Sequence, residues 1–520
     1  MNISRLVVYL ELGVLGFVLV VLAVSALDRS SSREQRTGEV AVHVQQEVPE
    51  EESPPVQQQV AQSLPEIDMD VHVKPRTREI WQGDLDGLLK REKIRILVPF
   101  SRTFFLPGPD NGRGLRYEAL KLYERFINET VALGSEQIKL VFLLTPQERL
   151  KDDLLAGIGD IAAADMTVMT VPPEQEEQEK QIAFSEPLRT DINEVVVTGR
   201  NAPQFKSIFN LSGLEVTVRK NSGYIAGLQE LNSTLKSIGK KPVKITTADD
   251  FFEDEDLLEM INAGLLPMTV MDSHVAEFWA GVLHNLKVQK NIRLRTAKET
   301  AWAVRADSPL LKESINYFRE SVYRPRTGSP LLTAYYRSRE GYLQNNLSGE
   351  AVQRFNSTVG LLKKYGRKYD LPYLLVAALA YQESQLDQAK RGRDGAVGIL
   401  QVRPAAAEQV GVRHIEELEE NIRAGCRYLR LLADSYFSSP ELTPLDRNLM
   451  TVAAYRAGPE VVMAARKEAA LSGYNPDIWF NHAETAMSVL GKEDISRYVR
   501  NIYLYMQVYE DMLAETENGR

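Results

Sequence analysis

One cysteine, Cys426, stands in 520 residues, so no disulfide framework can form and no cysteine-based zinc site can be built. Histidine is nearly as scarce. His43, His72, His274, His284, His414 and His482 are scattered, with no pair at metal-ligand spacing, which argues against a metalloenzyme. Positive charge is in deficit: 62 Lys and Arg against 71 Asp and Glu give a formal net charge of −9. A general nucleic-acid binder carries the opposite field, so nucleic acid is not an expected partner. No residue set calls for a cofactor either. What these shortages leave is chemistry done by ordinary side chains.

The chain is too long for one core, and two or three domains are expected. After Arg5, the stretch Leu6 to Leu27 is apolar apart from Tyr9, Glu11, Ser25 and the glycines. Its cleanest part, Leu12 to Leu27, is shorter than the roughly 20 residues that span a bilayer comfortably. Val24-Ser25-Ala26 has the small residues of a signal-peptidase site. Residues 1–27 therefore read as an export signal, either cleaved or kept as a membrane anchor. No cysteine follows for lipid attachment. Residues 28–78, with "QQEVPEEESPPVQQQVAQSLPE", hold too little apolar surface to fold and read as a disordered linker.

From Ile94 the pattern alternates. "IRILV", "IKLVFLL", "DIAAADMTV", "EVVVTG", "LEVTV" and "VKITTA" read as strands, with helices such as Ile225–Ile238 between them. "LPMTVMDSHVAEFWAGVL" reads as a strand entering a helix at Asp272. This alternation predicts α/β lobes with mainly parallel sheets over residues 79–325. Beyond the Pro/Gly cluster "YRPRTGSP" no convincing strand remains, and residues 326–520 read as all-α. The helical candidates are Glu350–Tyr365, Pro372–Gln385, Ile422–Phe437, Leu445–Ala457 and Ile495–Leu513.

Within that half, "LVAALAYQESQLD" is apolar on every helical face until it reaches Glu383. Asp370, ahead of Leu371-Pro372, is expected to cap this helix. Glu383 then lies about three turns along, near the other end. A lone glutamate at a helix terminus is most simply a solvated surface group. A carboxyl leaving an apolar helix is also partly desolvated, which raises its pKa toward that of a general acid. Downstream come "RDGAVGILQVRP", "NIRAGCRYLRLL", "AAYRAGP" and "DISRYVRNI". Taken singly, their tyrosines are more simply core than ligand contacts.

The order of these motifs from about Asn345 to Tyr509 resembles the soluble-type lytic transglycosylases, family 1, with a lysozyme-like fold. The resemblance implies cleavage of bacterial peptidoglycan between N-acetylmuramic acid and N-acetylglucosamine to 1,6-anhydro products. It implies Glu383 as the single catalytic residue, with Ser384, Gly398, Gln401, Tyr455, Arg456 and Tyr498 at the glycan. Two positions depart from the family pattern: Leu400 stands where methionine is usual, and Arg456 where asparagine is usual. Arg456 places a fixed cation beside the groove and motivates the alternative of a non-catalytic peptidoglycan-binding scaffold.

The region from Ile94 to Val322 resembles solute-binding proteins of polar amino-acid transporters, through "IRILVPF", "DIAAADMTV", "IAFSEPL", "LEVTVRKNSGY" and "MTVMDSHVAEF". Ser222 and Asp272 match ligand-contact positions there. The stretch "MTVPPEQEEQEK" lacks the arginine that clamps a ligand carboxylate in binding members. A regulatory role toward a muropeptide, peptide or protein ligand is therefore implied, beside a purely positioning role. A transporter's binding protein would leave Glu383 unexplained. The two halves together resemble the membrane-bound lytic transglycosylase F group, which implies a membrane-associated periplasmic protein.

Overall fold

The computed structural model describes residues 67–517 except 75–77, 109–111, 132–136, 168–180, 221, 250, 327, 339–341 and 393. The export segment, most of the linker and all of "MTVPPEQEEQEK" lie outside the described residues. Among the described residues no helix is long and apolar enough to cross a membrane.

Eleven strands occupy the first half of the described residues: β1 (Lys93–Val98), β2 (Lys139–Leu144), β3 (Ile161–Thr167), β4 (Ile182–Phe184), β5 (Arg189–Ile192), β6 (Glu194–Gly199), β7 (Glu215–Arg219), β8 (Lys244–Ala248), β9 (Met268–Asp272), β10 (Leu286–Arg293) and β11 (Lys298–Arg305). One lobe is built on the sheet β2-β1-β3-β11-β4, with β5 also on β11. The other holds β10-β6-β9 and the pair β7-β8. Each lobe has its own apolar core, one around Tyr123, Trp302 and Phe318, the other around Val196, Leu228 and Trp279.

The expectation of mainly parallel sheets is corrected. β1 pairs in parallel with β2 and β3, and β7 with β8. All pairings of β6 and β11 are antiparallel. The chain passes from one lobe to the other and back. The strands that arrive by those passages, β6 and β11, enter each sheet against their neighbours. Helical crossovers impose parallel pairing only within a lobe.

Among the described residues the second half is built of helices, with two isolated β-bridges, Arg391 to Val397 and Val397 to Val402. Gly349–Lys368, Tyr373–Ser384, Leu418–Tyr436, Pro444–Ala457 and Glu493–Glu517 match the five stretches read from periodicity. Helices Pro330–Arg337, Pro404–Gln409, Pro459–Leu471 and Glu484–Val489 join them. Helix Tyr373–Ser384 is the shaft of this core. Leu375 through Tyr381 are all buried, and it packs against Glu493–Glu517 and Gly349–Lys368. Asp370 does not cap it. That residue is left-handed (φ 52°), its carboxylate meets Arg430 at 3.0 Å, and Pro372 occupies the N-cap without a side-chain hydrogen bond. Proline needs no N–H partner there.

The linker is shorter at its far end than composition implies. Val71, with 2% exposure, enters the helical core with Ile67 beside it, and Asp68 pairs with Lys467 at 2.5 Å. Arg78 then bonds Asp153 and the Leu144 carbonyl in the α/β half and the Ser472 carbonyl in the helical half. A few apolar residues in a polar stretch are enough to dock it.

The two halves share more than this strap. Phe252, Leu257 and Met260, on or beside helix Asp254–Ala263 of the second lobe, belong to the helical half's core. Arg500 donates to Glu484 at 2.9 and 2.5 Å, to Asp256 at 2.8 Å and to the Phe251 carbonyl at 2.7 Å. Arg102 meets Asp256 from the other side at 2.6 Å.

Candidate active site

Where the shaft helix stops decides where Glu383 points. It ends at Ser384 because Gln385 and Leu386 both turn left-handed, with φ of 57° and 63°. Their N–H groups close back on the Tyr381 and Ala380 carbonyls at 2.7 and 3.3 Å. Leu386 is buried and anchors the turn. Left-handed backbone costs a non-glycine residue about 1–2 kcal/mol, so packing must hold this turn.

Glu383 emerges half-buried onto the wall of an open cleft of about 830 Å³. Gln401, Arg403, Tyr428, Tyr455 and Arg456 line the same cleft, and Asp394 stands on its loop side. The Tyr498 hydroxyl, from the C-terminal helix, donates to Glu383 Oε1. Burial pushes the Glu383 carboxyl above its ordinary value. The Tyr498 hydrogen bond and the charges of Arg456 and Arg403 oppose that rise without cancelling it. At a pH just above the ordinary carboxyl value, Glu383 therefore still holds a proton to give.

The loop after Glu383 is held from behind. Asn421 accepts from Leu400 N at 3.0 Å and donates to the Val397 and Ile415 carbonyls at 2.8 Å. Gln388 accepts from Ile399 N at 2.9 Å. The Tyr455 hydroxyl donates to the Leu400 carbonyl at 2.7 Å, while its ring stacks edge-on with Tyr428. Gln401, left-handed at φ 47°, donates to the Gly398 carbonyl at 2.8 Å.

Glu383, Gln401, Tyr455 and Arg456 thus meet at one cleft, and Tyr498 reaches it through Glu383. Ser384 and Gly398 do not line it. The Ser384 hydroxyl is buried and donates toward the Ala380 and Ile399 carbonyls, tying the shaft to the loop. Gly398 (φ 78°) leaves room for the two side-chain amides: a Cβ there would lie 2.5 Å from Asn421 Nδ2 and 2.6 Å from Gln388 Nε2. Gly398→Ala is accordingly expected to lower unfolding free energy by about 2–4 kcal/mol, from left-handed strain plus overpacking. Thermal or urea denaturation measures this.

Arg403 and Tyr428 were not singled out by sequence. They lie inside the quoted stretches "RDGAVGILQVRP" and "NIRAGCRYLRLL", but nothing local distinguishes them from their neighbours, and only the fold brings them to the cleft of Glu383. Asp387 is turned away from a catalytic task, its carboxylate accepting from Ala389 N at 2.9 Å.

In the second lobe, Asp272 ends β9 and is already matched by Lys298 at 3.0 Å. Ser222 sits just ahead of helix Tyr224–Ser237, its hydroxyl buried and, among the described residues, without a hydrogen-bond partner.

Residues 360–477 match the family model described as "Transglycosylase SLT domain". The match ends before Tyr498. The curated protein "Membrane-bound lytic murein transglycosylase F" of Pseudomonas fluorescens (strain Pf0-1) is 28% identical over 419 residues, 78% of this chain and 78% of its own length. Proteins of the same name from Methylobacillus flagellatus and Desulfosudis oleivorans are each 24% identical, covering 79% and 81% of this chain and 83% and 91% of their own. Among solved structures, an ancestral arginine-binding protein bound to arginine aligns at 18% identity and TM-score 0.33, covering 47% of this chain and 96% of its own. The second substrate-binding domain of GlnP from Lactococcus lactis aligns at 14% identity and TM-score 0.35, covering 48% and 97%.

Proposed function

We infer that this chain, which carries a transglycosylase SLT domain and is similar over most of its length to membrane-bound lytic murein transglycosylase F, is a peptidoglycan lytic transglycosylase. The observation that carries the reading is one desolvated carboxyl group, Glu383, on the wall of an open cleft with a tyrosine hydroxyl on its oxygen.

One such group suffices for a cleavage without water. Protonated Glu383 gives its proton to the glycosidic oxygen between N-acetylmuramic acid and N-acetylglucosamine as the C1–O bond breaks. The carboxylate then takes the proton of the muramoyl C6 hydroxyl, whose oxygen bonds C1 to give the 1,6-anhydro end. The proton count closes and Glu383 returns to its starting state. Burial favours the protonated form that the first step needs. Tyr498 steadies the carboxylate formed in between. Gln401 and Tyr455 are read as contacts of the sugar rings. A hydrolase would set a second carboxylate across the bond to activate water. Asp387 is committed to its own turn, and Asp394, on the loop side of the cleft, is the group such a reading would need.

The two-lobed half is read as regulatory. A ligand ammonium seeking Asp272 would first have to displace Lys298, which favours a muropeptide, peptide or protein ligand over a free amino acid, with Ser222 and Asp272 as the contacts to test. The apolar segment Leu6 to Leu27 is read as the export signal or anchor of a periplasmic, membrane-associated protein.

Mass spectrometry of sacculus digests run across a pH series tests the enzymatic reading. Anhydro-muramoyl ends are expected, with kcat/KM falling as pH rises through a Glu383 pKa above its ordinary 4.5. Reducing ends that incorporate solvent oxygen would instead mark a hydrolase.

A further inference from the structure

Many arginines of the helical half are held in ion pairs. Arg354 meets Glu350, Arg423 meets Glu420, and Arg430 and Arg447 share Asp434. Arg466 meets Asp477 and Arg500 meets Glu484. Arg403 and Arg456 make no such pair, and of the arginines that share this lack among the described residues, such as Arg367, Arg413 and Arg427, they are the ones at the cleft of Glu383. They come from different elements, one just ahead of helix Pro404–Gln409 and the other near the end of Pro444–Ala457, yet both line the cleft of Glu383. Both are exposed, and among the described residues neither has an ion-pair partner, although Glu383 and Asp394 line the same cleft. Arg456 lies over the Tyr498 ring at 5.5 Å, which fixes its position while leaving its N–H groups free to donate.

These two charges work against the acid they surround. Each favours ionised Glu383, whereas the first chemical step needs the proton on it. A cleft that keeps two cations at this cost is matched to an anion that arrives with the substrate. Guanidinium groups suit a carboxylate, which they can bind by paired, charge-assisted hydrogen bonds.

We propose that Arg403 and Arg456 form a carboxylate-binding subsite beside Glu383, so that the preferred substrate is a glycan strand carrying a free carboxylate next to the scissile bond. This rests on the transglycosylase reading of the cleft. Two sources offer that chemistry: the lactyl carboxylate of a muramic residue stripped of its peptide, and a carboxylate of an attached stem peptide. In either case the bound anion offsets the two cations. The bound anion thereby adds to the tendency of Glu383 to hold its proton when the right strand is in place.

The test reads binding, not cleavage, using the full-length chain with Glu383→Gln. Three soluble glycan strands are compared: peptide-bearing, peptide-stripped with free lactyl carboxylates, and stripped with those carboxylates converted to methylamides. The amidated strands are expected to bind about tenfold more weakly than the better anionic strand, a loss in keeping with a charge-assisted contact. Arg403→Gln and Arg456→Gln, added to that background, should each close most of the gap, while Arg456→Lys keeps part of it. The tighter of the two anionic strands identifies the source of the carboxylate. Equal binding of amidated and anionic strands overturns the proposal, as does a gap that survives both glutamine substitutions or a failure of every strand to bind. The transglycosylase reading fails separately, by absence of anhydro ends in wild-type digests.

Discussion

Glu383→Gln is expected to lower the release of anhydro-muramoyl ends by about 10²–10⁴-fold, the range a positioned general acid–base contributes. Glutamine keeps the size of the side chain and can still meet the Tyr498 hydroxyl, but it has no proton of the right acidity to give and cannot take one back. Both proton transfers pass through the same group, so no second residue covers the loss. The fold should not suffer. The wild-type carboxyl is desolvated against its preference, and a neutral amide removes that penalty, so the variant is expected to unfold at or above the wild-type midpoint. Anhydro ends counted by mass spectrometry, together with a denaturation curve, check both parts. A variant that digests sacculi at the wild-type rate would sink the assignment of Glu383.

Arg500→Ala should be the most destabilising single substitution at the junction of the two halves, costing about 3–5 kcal/mol of unfolding free energy. Its guanidinium supplies two hydrogen bonds to buried Glu484 and one to buried Asp256. Asp256 would keep Arg102, so the group left stranded is chiefly Glu484. Arg500→Lys should recover only part of the loss, because one ammonium cannot reproduce the fork that serves both carboxylates. The pH dependence has a definite sign. Burial alone would raise the Asp256 pKa, but Arg102 and Arg500 outweigh it and hold the carboxyl below its ordinary 3.8. Its pairing therefore stabilises the fold above the unfolded-state pKa and is lost as pH falls through the lower folded value. The gap between wild type and Arg500→Ala should narrow in strong acid. Urea unfolding at neutral and at acid pH measures it.

Helices such as Leu418–Tyr436 and Gly349–Lys368 were legible because each buries one broad stripe, and the shaft Tyr373–Ser384 because it is an unbroken apolar run. Strands β1, β3 and β6 were legible as compact apolar runs. β10, "LKVQKNIR", was not, since charges interrupt it along its length. β11 ends in a buried Arg305 that bonds the Leu154, Gly159 and Gly83 carbonyls, a solution no hydropathy pattern announces. Strand direction was misread for a related reason: alternation of strand and helix fixes the pairing inside a lobe but says nothing of strands that return from another. At the cleft, Glu383 stood out as a polar break in an apolar run. Ser384 and Gly398 shared its motifs but spend themselves on holding the loop. Arg403 shared the quoted loop motif but was not distinguished within it, since its meaning comes from where the loop folds back.

The stretch from Tyr323 to Pro330 looks in sequence like a place to divide the chain, but the core beneath it is not divided there. Phe252, Leu257 and Met260 complete the helical half from the other side, and Tyr498 lies only two residues from Arg500 on the helix that both halves grip. A fragment begun after that stretch would carry every cleft residue and still be an unfinished object. It would bare an apolar face where Phe251 stacks on Phe480, and its proton-transfer group would lean on a helix that had lost one of its two anchorages. For this molecule the catalytic unit is larger than the catalytic sequence.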